Sequence, residues 1–497
     1  MDRTERSNNR IQKIMIAAAA SGSGKTVITC GLLEALKRRG YAPVSFKCGP
    51  DYIDPMFHRL VLGIESQNLD TYLAGANGVK AVVEESLKDA GDKGNGIAVM
   101  EGVMGIYDGM SPDSVKGSCY EIAEITHTPV ILTVYAQGVG RTVISLIKGI
   151  LADDGEHLIK GIILNRMSES YYDKILPHLR DEIAALRDDV YIIGHIPKSD
   201  DMQLLSRHLG LILPGEIDDI KQKVGKIADT VEEYCDIDLM IRAAGSTGKM
   251  IEDKNPVPEN DLYGKTYTGS TSDHKVKLAV ARDEAFCFYY GQNLKLMERS
   301  GVKIDYFSPI HDKTIPDGVS GILLGGGYPE LHLKELASND TMLRSIRDAI
   351  DSGMPSLAEC GGFMYLHDAI EGPDKKVYNM VGMIDGVCRY TGHLVDFGYA
   401  GIAGYRNAPP KAGRSDDFIR SLCGMRGHEF HYYDSSSEEK DMVLEKASTG
   451  LRYDGMIAGD CSLWGFLHLY YPSKPEAVRA FVEGMKRYGK RYDFFCK

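Results

Sequence analysis

No stretch of this chain approaches the roughly 20 consecutive apolar residues that a membrane-spanning helix requires, so a bilayer protein is not expected. The run Ile14–Ala20 is apolar and follows a basic, polar start, Met1–Lys13. It is too short for a secretory leader and leads straight into a glycine-rich loop, so it reads as a buried first strand. Positive charge is also scarce: 58 Lys and Arg face 70 Asp and Glu, a net charge of −12. That excludes non-specific binding to nucleic acid or an anionic membrane, and any Lys serving an anionic substrate must be gathered locally. The ten cysteines include no CxxC and no metal-ligand spacing. A disulfide framework is thereby excluded, and a reduced, cytoplasmic setting is expected. Internal repeats and extended low-complexity segments are absent from the sequence as well.

What is present is globular material, 43% hydrophobic and 26% charged, over 497 residues, a length that predicts two or three domains. Short apolar runs at Lys13–Ala19, Val44–Lys47, Ile97–Glu101, Val130–Tyr135, Gly161–Asn165 and Tyr191–Ile196 alternate with helical patterns such as Lys25–Arg39 and Gly140–Leu151. This alternation predicts a mostly parallel, doubly wound sheet. Arg207–Ala244 reads as largely helical. The Gly, Ser, Thr, Asp and Pro of Gly245–Lys275 mark a linker, and a second α/β series starts at Val276–Ala281 and continues through Gly321–Leu324 and Met354–Ala358. The expected division is 1–244, a linker 245–275, and 276–497.

The first strand runs into Ala20-Ser21-Gly22-Ser23-Gly24-Lys25-Thr26 and then a helical pattern. Such a loop turns backbone N–H groups and a helix N-terminus toward phosphate. Gly22 and Gly24 shape it, Lys25 would reach the β and γ oxygens, and the Thr26 hydroxyl would hold Mg²⁺. Ala19 stands where a glycine is usual. Lys47, Asp51 and Asp54 (FKCGPDYIDP) follow the second strand, and Glu101 ends another where a Mg²⁺-coordinating acid belongs; Asp108 lies just beyond it. Acids at neighbouring parallel strand ends are site candidates, whereas each one alone is an ordinary solvated carboxylate.

In the second half, Ser356–Leu366 (SLAECGGFMYL) reads as strand, sharp turn and helix with Cys360 at the apex. Glycines after a thiol permit the elbow that exposes a nucleophile, and the helix start favours its thiolate. Such a thiol needs a base and an oxyanion hole. His468 and the histidines of Arg426–His431 are the candidate bases. The backbone at Gly326 and Gly327, within GGGYPE, is the candidate hole.

Together these segments resemble the cobyrinic acid a,c-diamide synthase family. SGSGKT, KCGPDYIDP, NLDTYL (Asn68–Leu73), EGVMGIYDG (Glu101–Gly109), ILNR (Ile163–Arg166), RHLGL (Arg207–Leu211), DEAFCFYYGQNL (Asp283–Leu294), GGGYPE (Gly325–Glu330), AECGGFMYL (Ala358–Leu366) and GHEFHY (Gly427–Tyr432) occur in the family's order over nearly the whole chain. The resemblance implies two doubly wound α/β domains: a dethiobiotin-synthetase-like P-loop domain and a class I glutamine amidotransferase domain of the cobyric-acid type. It implies that Lys25, Thr26, Lys47, Asp51, Glu101 and Asp108 occupy phosphate, Mg²⁺ and substrate positions, and that Asn165 contacts adenine. It also favours His468 as the base for Cys360. Ordinary class I glutaminases carry a Glu two residues after that histidine; here the residue is Tyr470, which leaves open what orients His468.

The implied activity is ATP-dependent amidation of the a and c carboxylates of cobyrinic acid with ammonia drawn from glutamine. Its partners are ATP, glutamine and a corrinoid or related tetrapyrrole polycarboxylate, with room for a homodimer. The residues themselves reach only as far as carboxylate amidation. Ni-sirohydrochlorin or hydrogenobyrinic acid as substrate, a ligase fed by free ammonia, and a partition-type P-loop switch are the competing readings.

Overall fold

The computed structural model describes residues 12–91, 95–200, 202, 217–246, 276–406 and 416–495. The RHLGL segment and residues 247–275 of the expected linker lie outside them. The chain forms two compact units, Met1–Pro258 and Glu259–Lys497.

Seven strands build the first unit's sheet: β1 Gln12–Ala18, β2 Tyr41–Cys48, β3 Ser66–Leu69, β4 Asn95–Glu101, β5 Val130–Tyr135, β6 Ile159–Asn165 and β7 Tyr191–Ile196. Their order is β3-β2-β4-β1-β5-β6-β7, and every pairing is parallel. Strands covered on both faces must be apolar throughout, and β1 is buried from Lys13 to Ala18. Its Ile14 and Ile16 join Ile28, Leu32 and Val99 in the core, with Ile227 and Val231 of the helix Ile217–Tyr234. Each such side chain contributes about 1.5–3 kcal/mol by leaving water. The sequence pattern locates six of the seven strands. β3, sequence SQNL, was not expected because its polar residues conceal it. It is nonetheless almost wholly buried, a setting made possible by backbone pairing with β2.

The second unit centres on a six-stranded sheet in the order Val302–Phe307, Val276–Ala281, Gly321–Leu324, Ser356–Glu359, Ser462–Gly465 and Ile457–Gly459. All neighbours run parallel except the last pair. An additional antiparallel sheet joins Arg452–Asp454, Met442–Lys446, Asp396–Tyr405, Arg426–His431 and His468–Tyr470 in that order. The α/β pattern alone does not reveal it, since its longest strand, DFGYAGIAGY, is rich enough in glycine to read as loop.

Among the described residues no helix is long and apolar enough to cross a membrane, and the nine described cysteines are all free.

The elbow after Ser356–Glu359 tolerates no side chain at Gly362, where a Cβ would lie 2.1 Å from the Leu324 carbonyl oxygen. The obstacle is backbone and cannot rotate away. Gly362→Ala is therefore expected to destabilise the second unit by at least about 2 kcal/mol, measured by chemical denaturation; an unchanged midpoint would contradict this packing.

Candidate active site

In the first unit the P-loop follows β1 directly. Gly22 (φ 75°) and Gly24 (φ 91°) occupy left-handed backbone, whereas Ala19 is not among the positive-φ residues, so the missing glycine costs nothing there. Gly24 caps the helix Lys25–Arg38. The Lys25 amine donates to the carbonyls of Met104 (2.5 Å) and Ala20 (3.4 Å), and burial lowers its pKa. Asn165, the last residue of β6, donates to the Ser23 carbonyl at 2.8 Å. Its amide fills the place that a Cβ on Gly24 would take, 2.3 Å away.

Pairing of β2 with β4 sets Lys47 directly beside Glu101. The Lys47 amine donates to Glu101 Oε1 at 2.8 Å, pairs with Asp54, and stands 4.0 Å from Asp51. Thr26 Oγ1 donates to the same Glu101 oxygen at 2.5 Å. One ammonium thus faces three carboxylates, of which Glu101 and Asp54 are buried and Asp51 is partly exposed. Burial disfavours the Lys47 charge, but Glu101, Asp54 and Asp51 outweigh it and hold the pKa well above the ordinary value. Burial and then the Asp54 charge push Glu101 up to about 7, against the pull of Lys47 and Thr26. Burial and Asp54 also raise Asp51, whereas Lys47 overcomes burial to lower Asp54.

Asp108 stands apart from this group. Its carboxylate accepts the Gly105 N–H at 2.8 Å and so shapes the loop that supplies the Met104 carbonyl. Two residues not singled out from sequence complete the site. His58 is fully buried, 2.9 Å from Ser45 Oγ and 3.9 Å from Glu101 Oε2, with burial depressing its pKa to about 4. Asn68 holds the 49–51 loop by donating to the carbonyls of Gly49 (3.0 Å) and Asp51 (2.6 Å). His58 lies four residues after Asp54, the only signal the sequence offers for it; Asn68 belongs to NLDTYL, a motif in which the sequence shows no role for it.

These residues suit Mg²⁺. Glu101 Oε2 is buried without a hydrogen-bond partner, carboxylates outnumber the one ammonium, and a hydroxyl lies on the same acid. This is a hard-oxygen donor set.

In the second unit Cys360 sits at the elbow with φ 48° and ψ −103°, a strained backbone for a non-glycine residue. Its N–H donates to the Gly465 carbonyl at 2.8 Å, and the Gly362 N–H to that of Gly325 at 2.9 Å. Burial, then the charges of Glu330 and Glu359, push the thiol up to about 12, partly opposed by the Gly361 N–H. The GGGYPE backbone lies between elbow and histidine. A Cβ on Gly361 would stand 3.2 Å from the Gly327 nitrogen, and one on Gly326 would stand 2.4 Å from His468 Cε1. The Tyr289 hydroxyl accepts the Gly325 N–H at 2.9 Å and donates to the Ala281 carbonyl.

His468 opens its strand opposite His428, and the two rings stack with centroids 5.1 Å apart. Burial, with the neighbouring His428 and His431, holds the His468 pKa well below the ordinary imidazole value. Burial alone takes His428 down to about 3. His431 stacks on Phe466 at 4.0 Å and donates through Nδ1–H to the Tyr433 carbonyl at 2.7 Å. It also lies with Asp396 and Glu429 in a group of metal-ligand type. There, however, Lys446 already pairs with both acids, at 2.9 and 3.0 Å, and Tyr453 donates to Glu429.

Two family models cover most of these elements. Residues 14–212 match the CobQ/CobB/MinD/ParA nucleotide binding domain, and residues 277–475 match the CobB/CobQ-like glutamine amidotransferase domain. The cobyrinate a,c-diamide synthase of Clostridium tetani is 35% identical over 95% of this chain and 100% of its own length. Those of Picrophilus torridus and Priestia megaterium are each 34% identical, over 95% and 96% of this chain and 98% and 97% of theirs. A crystal structure of a glutamine amidotransferase overlays 42% of this chain and 98% of its own with a TM-score of 0.30 and 14% identity, too loose a likeness to carry an argument. The end-to-end match in sequence does carry one: this chain belongs to the cobyrinate a,c-diamide synthase family.

Proposed function

We propose that this chain uses ATP to convert the a and c side-chain carboxylates of cobyrinic acid to carboxamides, with nitrogen taken from glutamine, in cobalamin biosynthesis. The observation that carries the reading is the presence, in one chain, of Lys25, Thr26, Lys47 and Glu101 around a phosphate loop and of Cys360, Gly326 and His468 around a thiol elbow. The full-length likeness to relatives named for this reaction supports the substrate.

A carboxylate resists ammonia because its carbon is electron-rich and oxide does not leave. Transfer of the ATP γ-phosphoryl group to the carboxylate yields an acyl phosphate, from which phosphate leaves as ammonia attacks. The P-loop amides, Lys25 and Lys47 would stabilise charge on the transferring group. Lys25 now rests on two carbonyls, partners that phosphate oxygens would replace favourably. Thr26, Glu101 and Asp51 would hold Mg²⁺, which supplies charge neutralisation at the phosphates. Asp54 and Asp108 would act on the substrate side, and Asn165 beside the loop would meet the adenine.

At the second site burial outweighs the helix start that favours a thiolate and pushes the thiol up to about 12, so its proton would move as it attacks. His468, kept neutral by burial, would take that proton while Cys360 attacks the glutamine amide carbon. The Gly326–Gly327 backbone would receive the oxyanion. His468 would then return the proton to the departing nitrogen, ammonia would leave as the thioester forms, and water would release glutamate.

Cys360→Ala should lower glutamine-driven amidation by about a thousandfold or more while ammonium still supports it; comparing initial rates with the two nitrogen sources is the test, and surviving glutamine use would sink the nucleophile. Lys25→Ala should lose amidation with either source by at least about a hundredfold; unimpaired turnover would remove the ATP assignment. Mass spectrometry of cobyrinate incubated with ATP, Mg²⁺ and glutamine should show two successive losses of about one mass unit, one for each carboxylate amidated. An unchanged macrocycle, with the glutaminase active, would move the substrate to another polycarboxylate.

A further inference from the structure

Glu359, the residue before the nucleophile, is the last of its strand and nearly inaccessible, at 5% exposure. Its backbone pairs in register with Gly465, whose carbonyl accepts the Cys360 N–H. Its side chain reaches across to the histidine-bearing segment. Oε1 accepts the Tyr471 hydroxyl at 2.8 Å, and Oε2 accepts the backbone N–H of Leu469, next to His468, at 3.3 Å. Among the described residues no cation pairs with it within 4.0 Å. Burial pushes its carboxyl up to about 8, opposed only by those two donors.

A buried carboxyl in an otherwise apolar strand end is costly, and an apolar residue would pack there at less cost unless the hydrogen bonds serve a purpose. The two bonds it makes flank the base on its C-terminal side. The same segment is also held by Asn293, which donates to the Leu469 carbonyl at 2.7 Å and accepts the Tyr471 N–H at 2.8 Å. Residues 469 to 471 are Leu, Tyr and Tyr, so His468 has no carboxylate following it on its own strand to orient the ring. Gly326 and His428 contact the ring, and the backbone that carries it is held to the nucleophile's strand through Glu359.

We propose that Glu359 is the positioning residue of the glutaminase site: by joining the strand that ends in Cys360 to the segment that begins with His468, it sets the separation of thiol and base. It touches neither glutamine nor the reacting atoms. This rests on the reading of Cys360 and His468 given above and deepens it, because it states what holds the backbone of the base in place beside the thiol. Geometry of this kind is worth much in proton transfer, since displacement of a catalytic group by about 1 Å can cost about a hundredfold.

The test uses the full chain with Glu359→Ala, Glu359→Gln, Tyr471→Phe and Cys360→Ala, each assayed with glutamine and, separately, with ammonium. Glu359→Ala should lower the glutamine-driven kcat about 30-fold with KM for glutamine within about twofold, and leave the ammonium-driven rate unchanged. Glutamine at position 359 can accept from Leu469 while donating to a reversed Tyr471 hydroxyl, so Glu359→Gln should recover kcat to within about threefold of the parent. Tyr471→Phe removes one of the two bonds and should lower kcat about fivefold, which keeps the test alive if the alanine variant fails to fold. A Glu359→Ala kcat within twofold of the parent, a Glu359→Gln rate as poor as the alanine one, or an unaffected Tyr471→Phe would each overturn the proposal. Glutamine use surviving in Cys360→Ala would overturn the underlying reading and this one with it, whereas a glutamine-inactive Cys360→Ala beside an indifferent Glu359→Ala overturns this one alone.

Discussion

Parallel pairing of neighbouring strands is the constraint on which both sites depend. When adjacent strands run the same way, their C-terminal ends fall along one edge, and residues far apart in the chain arrive there together. In the first unit this brings Lys47 of β2 level with Glu101 of β4, and Asn165 of β6 onto the loop that follows β1. In the second, the ends of Gly321–Leu324, Ser356–Glu359 and Ser462–Gly465 bring GGGYPE, Cys360 and the Gly465 carbonyl together. One antiparallel strand, His468–Tyr470, then carries the histidine in from the side.

Charge governs the first site, and its absence governs the second. Around Lys47, three acids, two of them buried, share one ammonium, an imbalance that a divalent cation and a polyanionic nucleotide would redistribute. Around Cys360 burial raises the thiol, Glu359 and Glu330 and lowers His468 and His428, in each case toward the neutral form. Separated charge is costly in such surroundings, which favours the uncharged thiol and imidazole until a substrate supplies a place for the electrons.

Much of this was legible in the sequence where chemistry is local. The P-loop and the cysteine elbow announce themselves because contiguous residues form them, and six of the first unit's seven strands follow from their apolar runs. Features that depend on register were not legible. Nothing in the order of residues says that Lys47 faces Glu101, that Glu359 reaches Tyr471, or that His428 lies flat on His468. His58 and Asn68 act through burial and loop geometry, which leave little mark on a pattern of hydrophobicity. The polar β3 and the glycine-rich Asp396–Tyr405 strand are held by backbone pairing, so their side chains carry a weak signal.

The contact between Gly24 and Asn165 has a consequence for how the chain can vary. The amide nitrogen of Asn165 stands where any larger residue at position 24 would place its first side-chain carbon. Position 24 therefore stays bare while 165 keeps its amide there, and a bulkier residue at 24 must evict that amide and release the Ser23 carbonyl. The dependence runs one way: a side chain at position 24 requires the amide at 165 to leave, whereas 165 can change beside a bare glycine, and the left-handed backbone at 24 favours glycine in either case.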